Sequence, residues 1–96
     1  MNNYELMFIV RPTLDEASIK KVYEDMQNVV TKANGKIVSS KEMGQRDLAY
    51  EINKYKTGYY FYFSIEAEGS HSVKEFDRVA LINENIIRHL IVKVEE

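Results

Sequence analysis

The stretch Gly44-Gln45-Arg46-Asp47-Leu48-Ala49-Tyr50-Glu51-Ile52-Asn53-Lys54 is the most unusual in the chain. It sets an arginine between a glycine bend and a strand of alternating apolar and polar residues. A guanidinium held beside a bend can clamp a phosphate through paired hydrogen bonds. The same residues also describe a β-bulge carrying a solvated charge. Arg88 is similar, because it interrupts the apolar run Ile86-Ile87-Arg88-His89-Leu90-Ile91-Val92. Such an arginine must emerge at an edge or meet an anion. The aromatic run Tyr59-Tyr60-Phe61-Tyr62-Phe63 offers rings on which bases could stack. It equally fits a strand core with an aromatic protein interface on its other side.

Nothing else in the chain assembles a reaction centre. No Cys is present, which removes thiolate metal sites, disulfides and Cys nucleophiles. The two His, at 71 and 89, have no evident metal-ligand spacing, and His89 stands in a strand with no evident carboxylate or Ser partner. The four Gly are isolated and match no phosphate loop. The sequence therefore predicts no catalytic residues, no metal, no cofactor and no small-molecule substrate.

These residues must be positioned by a small fold. Ninety-six residues form a single domain over 1–96, with one core. No run reaches 18 apolar residues, so no membrane span is expected, and the N-terminus lacks the basic flank of a signal peptide. The expected location is the cytoplasm. Net charge −2 argues against bulk electrostatic binding of nucleic acid. The charge is unevenly spread, however. Residues 36–56 carry five cations and three anions, whereas residues 66–84 carry two cations and five anions.

Residues 4–10 read as a strand ended by Arg11-Pro12. Thr13-Leu14-Asp15-Glu16 has the spacing of a capping box and predicts a helix start. Ile19, Val22, Tyr23, Met26, Val29, Val30 and Ala33 follow the helical period, and Asn34-Gly35 stops it, with Gly supplying the left-handed turn. A second strand is predicted in two halves, 36–40 and 48–52, bent at Gly44. Residues 53–58 read as a hairpin loop and 59–65 as the third strand. Ser72-Val73-Lys74-Glu75 predicts a second capping box, with Val73, Phe76, Val79 and Ala80 as the helix stripe. Residues 86–94 form the last strand. The order β-α-β-β-α-β with right-handed crossovers is the α+β, ferredoxin-like arrangement. It predicts a four-stranded antiparallel sheet in order 4-1-3-2 with both helices on one face.

The other face is then uncovered. Alternation points Tyr4, Leu6, Phe8, Val10, Phe61, Phe63 and Ile65 at the helices. It leaves Met7, Ile9, Tyr60 and Tyr62 on the open side, which is too apolar for plain solvent. These four are the expected partner-binding residues.

The whole chain resembles the family of the bacterial ribosomal protein numbered sixth in the small subunit. The resemblance rests on Tyr4-Glu5 with Arg11-Pro12 and on Gly44-x-Arg46-x-Leu48-Ala49-Tyr50-x-Ile52. Gly58-Tyr59-Tyr60, Ile87-Arg88-His89-Leu90 and Val92-Lys93 extend it. It implies a structural role in the small ribosomal subunit, binding the central domain of small-subunit ribosomal RNA beside the eighteenth small-subunit protein. It implies no enzyme activity. By position it places RNA contacts at Arg46 and Arg88, with Lys93, Asn2 and Asn3 as further candidates. Family members often carry basic residues where this chain has Asp47, Val79 and Leu81, and near Asn2, so fewer charges are expected to meet RNA. Many members continue into a longer C-terminal tail where this sequence reads Glu95-Glu96, so a smaller tail contribution to the partner contact is expected. Composition alone leaves a second reading, a dimeric ferredoxin-like small-molecule-binding or small enzyme domain, which the Gly44–Ile52 motif weighs against.

Overall fold

The computed structural model describes residues 2–94; Met1 and the Glu95-Glu96 end lie outside the described residues. The elements are β1 (Asn2–Val10), α1 (Glu16–Lys32), β2 (Lys36–Ile52), β3 (Tyr55–Ala67), α2 (His71–Ile82) and β4 (Ile86–Val94). They form one antiparallel sheet in the order β2-β3-β1-β4, the arrangement expected from the sequence.

The core lies between the sheet and the two helices. Leu6, Phe8, Val10, Phe61, Phe63 and Ile65 supply the sheet side and are buried. Ile19, Val22, Met26 and Val30 of α1 and Phe76 and Ala80 of α2 close over them. Phe8 organises this layer: its ring stacks on Phe61 at 5.2 Å and meets Phe63 at 5.6 Å and Phe76 at 6.1 Å. Burying each such ring contributes about 1.5–3 kcal/mol before chain entropy is counted. Val73 and Val79 pack only partly against the core, and the fully covered flank of α2 includes Ser72 instead.

Both helix starts differ from the capping-box reading. The N-cap of α1 is Asp15, whose Oδ1 accepts from the Ser18 backbone N–H at 2.9 Å. Hydrogen bonding from Ser18 holds the Asp15 carboxyl below its ordinary range. In α2 the cap position is Ser70, without a side-chain cap bond, and Ser72 lies inside the helix with its hydroxyl buried. Ser72 is small where α2 crosses the end of α1: a Cβ on Gly35 would stand 3.0 Å from Ser72 Cβ and 2.7 Å from Val30 Cγ1. Gly35 is thus needed for closeness. The left-handed residue that ends α1 is Asn34, at φ 67°, not the glycine.

The second strand runs unbroken from 36 to 52 rather than in two halves. Gly44, at φ +80°, sits where the β2–β3 register shifts, so the bend is a bulge within one strand. The hairpin loop is also shorter than 53–58. Asn53 (φ 49°) and Lys54 (φ 71°) make the turn, and Ile52 already pairs with Tyr55. Two positive φ values in a two-residue loop match the right-handed twist of the strands they join.

Gly58 accordingly lies inside β3, not in a loop. A Cβ there would stand 2.4 Å from Ile9 Cγ2 and 3.3 Å from the Val10 carbonyl oxygen. Gly58→Ala is expected to cost about 1–3 kcal/mol through displacement of Ile9. A denaturant melt checks this, and an unchanged midpoint would show that Ile9 is not held there.

Candidate nucleic-acid interface

Directly paired residues in adjacent strands share a face of the sheet, so the register maps the uncovered side. One row across it runs Gly44, Tyr60, Ile9, Arg88. The next runs Lys41, Tyr62, Met7, Leu90, and the next Ser39, Ser64, Glu5, Val92. Arg46 pairs with Gly58, just beyond the first row, on the same side as Tyr60. Arg46 and Arg88 are both exposed and stand at opposite edges of the same end of this face. Lys41 and Lys36 add further cations to the side, and Glu5 and Glu66 lie toward the far end, where Lys36 pairs with Glu66.

Each arginine is fixed by its own local structure. Arg46 Nε donates to the Met43 carbonyl at 3.3 Å, across the Gly44 bulge. Arg88 Nη1 donates to the Tyr50 hydroxyl, and its guanidinium carbon is 5.5 Å from the centre of the Tyr50 ring. Tyr50 reaches there because β2 and β3 run beyond β1, whose last β3 partner is Tyr59 for Val10. The projecting arm brings Tyr50 of β2 to Arg88 of β4. Arg11, the third arginine of the resemblance, serves the fold: its Nε donates to Asn85 Oδ1 and its Nη1 to Thr13 Oγ1, both at 2.9 Å.

The remaining RNA candidates divide between faces. Asn3 pairs with Glu66 and shares the open side. Lys93 pairs with the buried Tyr4, and Asn2 with the buried Ala67, which puts both on the helix side of the sheet. His89, paired with Phe8, also faces the helices. There it has the carboxylate partner that the sequence did not show, with Nε2 2.7 Å from Asp77 Oδ1 of α2. The reach from strand to helix is set by packing, not by spacing along the chain.

The expected partner patch is only partly exposed. Met7, Tyr60 and Tyr62 are half-buried, and Ile9 is buried at 6% exposure. Ile9 is covered because its methyl settles onto bare Gly58, with Ile87 Cδ1 also near that position. Burial raises the Tyr62 hydroxyl above its ordinary pKa, and a hydrogen bond with Glu5 adds to the shift. Tyr62 therefore remains a protonated donor at neutral pH. Three partly exposed apolar residues on this side belong to β4: Leu90 at 51%, Val92 at 43% and Val94 at 38%. Sequence reading missed them because residues 86–92 are nearly all apolar and show no alternation. The bulge at Ile87, between the pairs Ile9–Arg88 and Val10–Ile86, decides which of them turn outward.

Among the described residues no three His, Asp or Glu side chains come together as a metal site. No helix among the described residues is long and apolar enough to cross a membrane. A cleft of about 350 Å³ opens on the helix side over Tyr59 and Phe61, rimmed by Glu16, Lys20, Glu42 and Gly44, with no arginine in its lining.

The family model described as ribosomal protein S6 matches residues 3–93. The crystal structure of the 30S ribosomal protein S6 from Thermotoga maritima is 28% identical in sequence. It superposes with a TM-score of 0.93, covering 97% of this chain and 87% of that one. A protein of Arabidopsis thaliana superposes with a TM-score of 0.57 over 100% of this chain and 95% of its own, at 12% identity, and shares the fold alone. Matched over nearly all its length and in shape, the chain belongs to the ribosomal protein S6 family, and it is a structural protein of the small subunit of the cytoplasmic ribosome, not an enzyme.

Proposed function

We propose that the uncovered sheet face joins this protein to small-subunit ribosomal RNA and to the eighteenth small-subunit protein during assembly. The RNA reading extends to the central domain of that RNA. The observation that carries it is the placement of Arg46 and Arg88. Two exposed guanidinium groups stand at one end of one face, each oriented by a contact from its own chain. Such groups clamp phosphates at fixed spacing. Asn3 extends the RNA-facing set on the same side, and Lys93 and Asn2 would reach RNA only around the sheet's edges. Met7, Tyr60 and Tyr62, with Ile9 beneath them, form the partner patch, and Leu90, Val92 and Val94 enlarge it. Aromatic and Met side chains in such a patch suit an interface core.

Because the chain is acidic overall, binding to RNA is weak alone and tightens with a basic partner. The test is a salt series with a transcript of the RNA central domain and the partner present. Arg46→Ala and Arg88→Ala should each weaken binding and flatten the plot of log affinity against log salt by about one unit. Unchanged affinity and slope in both variants would remove the arginines from the interface.

A further inference from the structure

We infer that Tyr50, on the projecting β2–β3 arm, is a positioning residue that sets the Arg88 guanidinium for its anion. The inference rests on the RNA reading of Arg88. The contact joins residues 38 apart in sequence and links the two outermost strands, β2 and β4. Both side chains are exposed, so the contact does not follow from core packing. Arg88 emerges on an edge strand, where a long, solvated side chain would sample many rotamers. Ordering it in advance removes part of that entropy from the binding step.

Tyr50 acts on Arg88 in two ways. Its hydroxyl accepts from Nη1, and its ring lies beside the guanidinium carbon at 5.5 Å. One guanidinium edge is thereby occupied, and the remaining N–H groups are left for an incoming phosphate oxygen. Among the described residues no carboxylate pairs with Arg88, so its support does not neutralise its charge. At the base of the arm, side chains of Ile9 in β1 and Ile87 in β4 pack close over Gly58 of β3.

The experiment compares Tyr50→Phe, Tyr50→Ala, Arg88→Ala and the Tyr50→Phe/Arg88→Ala double variant. Binding to the central-domain transcript, with the partner present, is measured across a salt series. Tyr50→Phe should weaken binding about 3- to 10-fold, the net value of one hydrogen bond, with the salt slope unchanged because Arg88 still meets its phosphate. Tyr50→Ala should weaken it more. Arg88→Ala should lose about one unit of slope, and the double variant should bind as Arg88→Ala does. In the free protein, NMR should show the Arg88 Cδ protons shifted by the Tyr50 ring, with the shift kept in Tyr50→Phe and lost in Tyr50→Ala. Additive losses in the double variant overturn the positioning role, as does wild-type affinity for both Tyr50 variants when Arg88→Ala is impaired. Wild-type affinity and slope for Arg88→Ala overturn the RNA reading of Arg88 itself, whatever Tyr50 does.

Discussion

Phe63→Ala is expected to lose about 3–5 kcal/mol of folding stability, while Tyr62→Ala, one residue away, loses much less. Phe63 has no exposed surface and packs against Phe8 at 5.6 Å and Tyr23 at 5.6 Å. Truncation leaves a ring-sized hole between the sheet and α1, where neighbours relax only in part. Tyr62 points the other way, beside Met7 and Lys41, with its hydroxyl near the Glu5 carboxylate. Its removal should instead weaken partner binding by about 1–2 kcal/mol, as for an aromatic interface anchor. Denaturant melts and a partner titration separate the two. Equal loss of stability in both variants, with partner binding untouched, would mean that the Tyr62 face takes no part in the interface.

Leu90→Asp should leave folding nearly intact and abolish tight partner binding. Leu90 is half-exposed on an edge strand, so a carboxylate there remains hydrated in the free protein and stability should move by about 0.5 kcal/mol or less. In the complex the same carboxylate would be enclosed by the apolar patch of Met7, Val92 and the partner. An uncompensated charge enclosed in this way costs about 3 kcal/mol or more, over roughly 100-fold in affinity. Partner affinity within a few-fold of wild type would move the interface off β4. A large fall in the melting midpoint would show that Leu90 supports the fold, contrary to its exposure.

Where alternation was clear, the sequence located the faces. Tyr60 and Tyr62 against Phe61 and Phe63, and Met7 against Leu6 and Phe8, fall on the sides that their period implies. The element order and strand order followed from the same patterns. The parts that escaped depend on facts not local in the chain. The faces of β4 depend on a bulge at Ile87 opposite β1, inside a run too uniformly apolar to show a period. Ile9 is buried because a glycine 49 positions later lets it settle. Thr13 and Asp15 can both cap a helix, and the choice of Asp15 becomes visible only from the Ser18 N–H it accepts. Ser72 sits where a cap could stand, but its place is set by how closely α2 approaches Gly35. Arg46 and Arg88 stood out as unusual charges in strand-like sequence, yet their shared end of one face came only from the register, and the hold of Tyr50 on Arg88 only from the contact between residues 38 apart.

The most direct measurement is hydroxyl-radical footprinting of the RNA central domain, with the partner protein present at saturation. Wild-type protein is compared with Arg46→Ala/Arg88→Ala, each at concentrations that saturate its own binding. With wild-type protein the sugar–phosphate backbone should be protected in a short stretch. The double variant should lose protection at the positions that the two arginines cover and keep the rest. The same protection from both proteins, or none from the wild type, would contradict the placement of this face on the RNA.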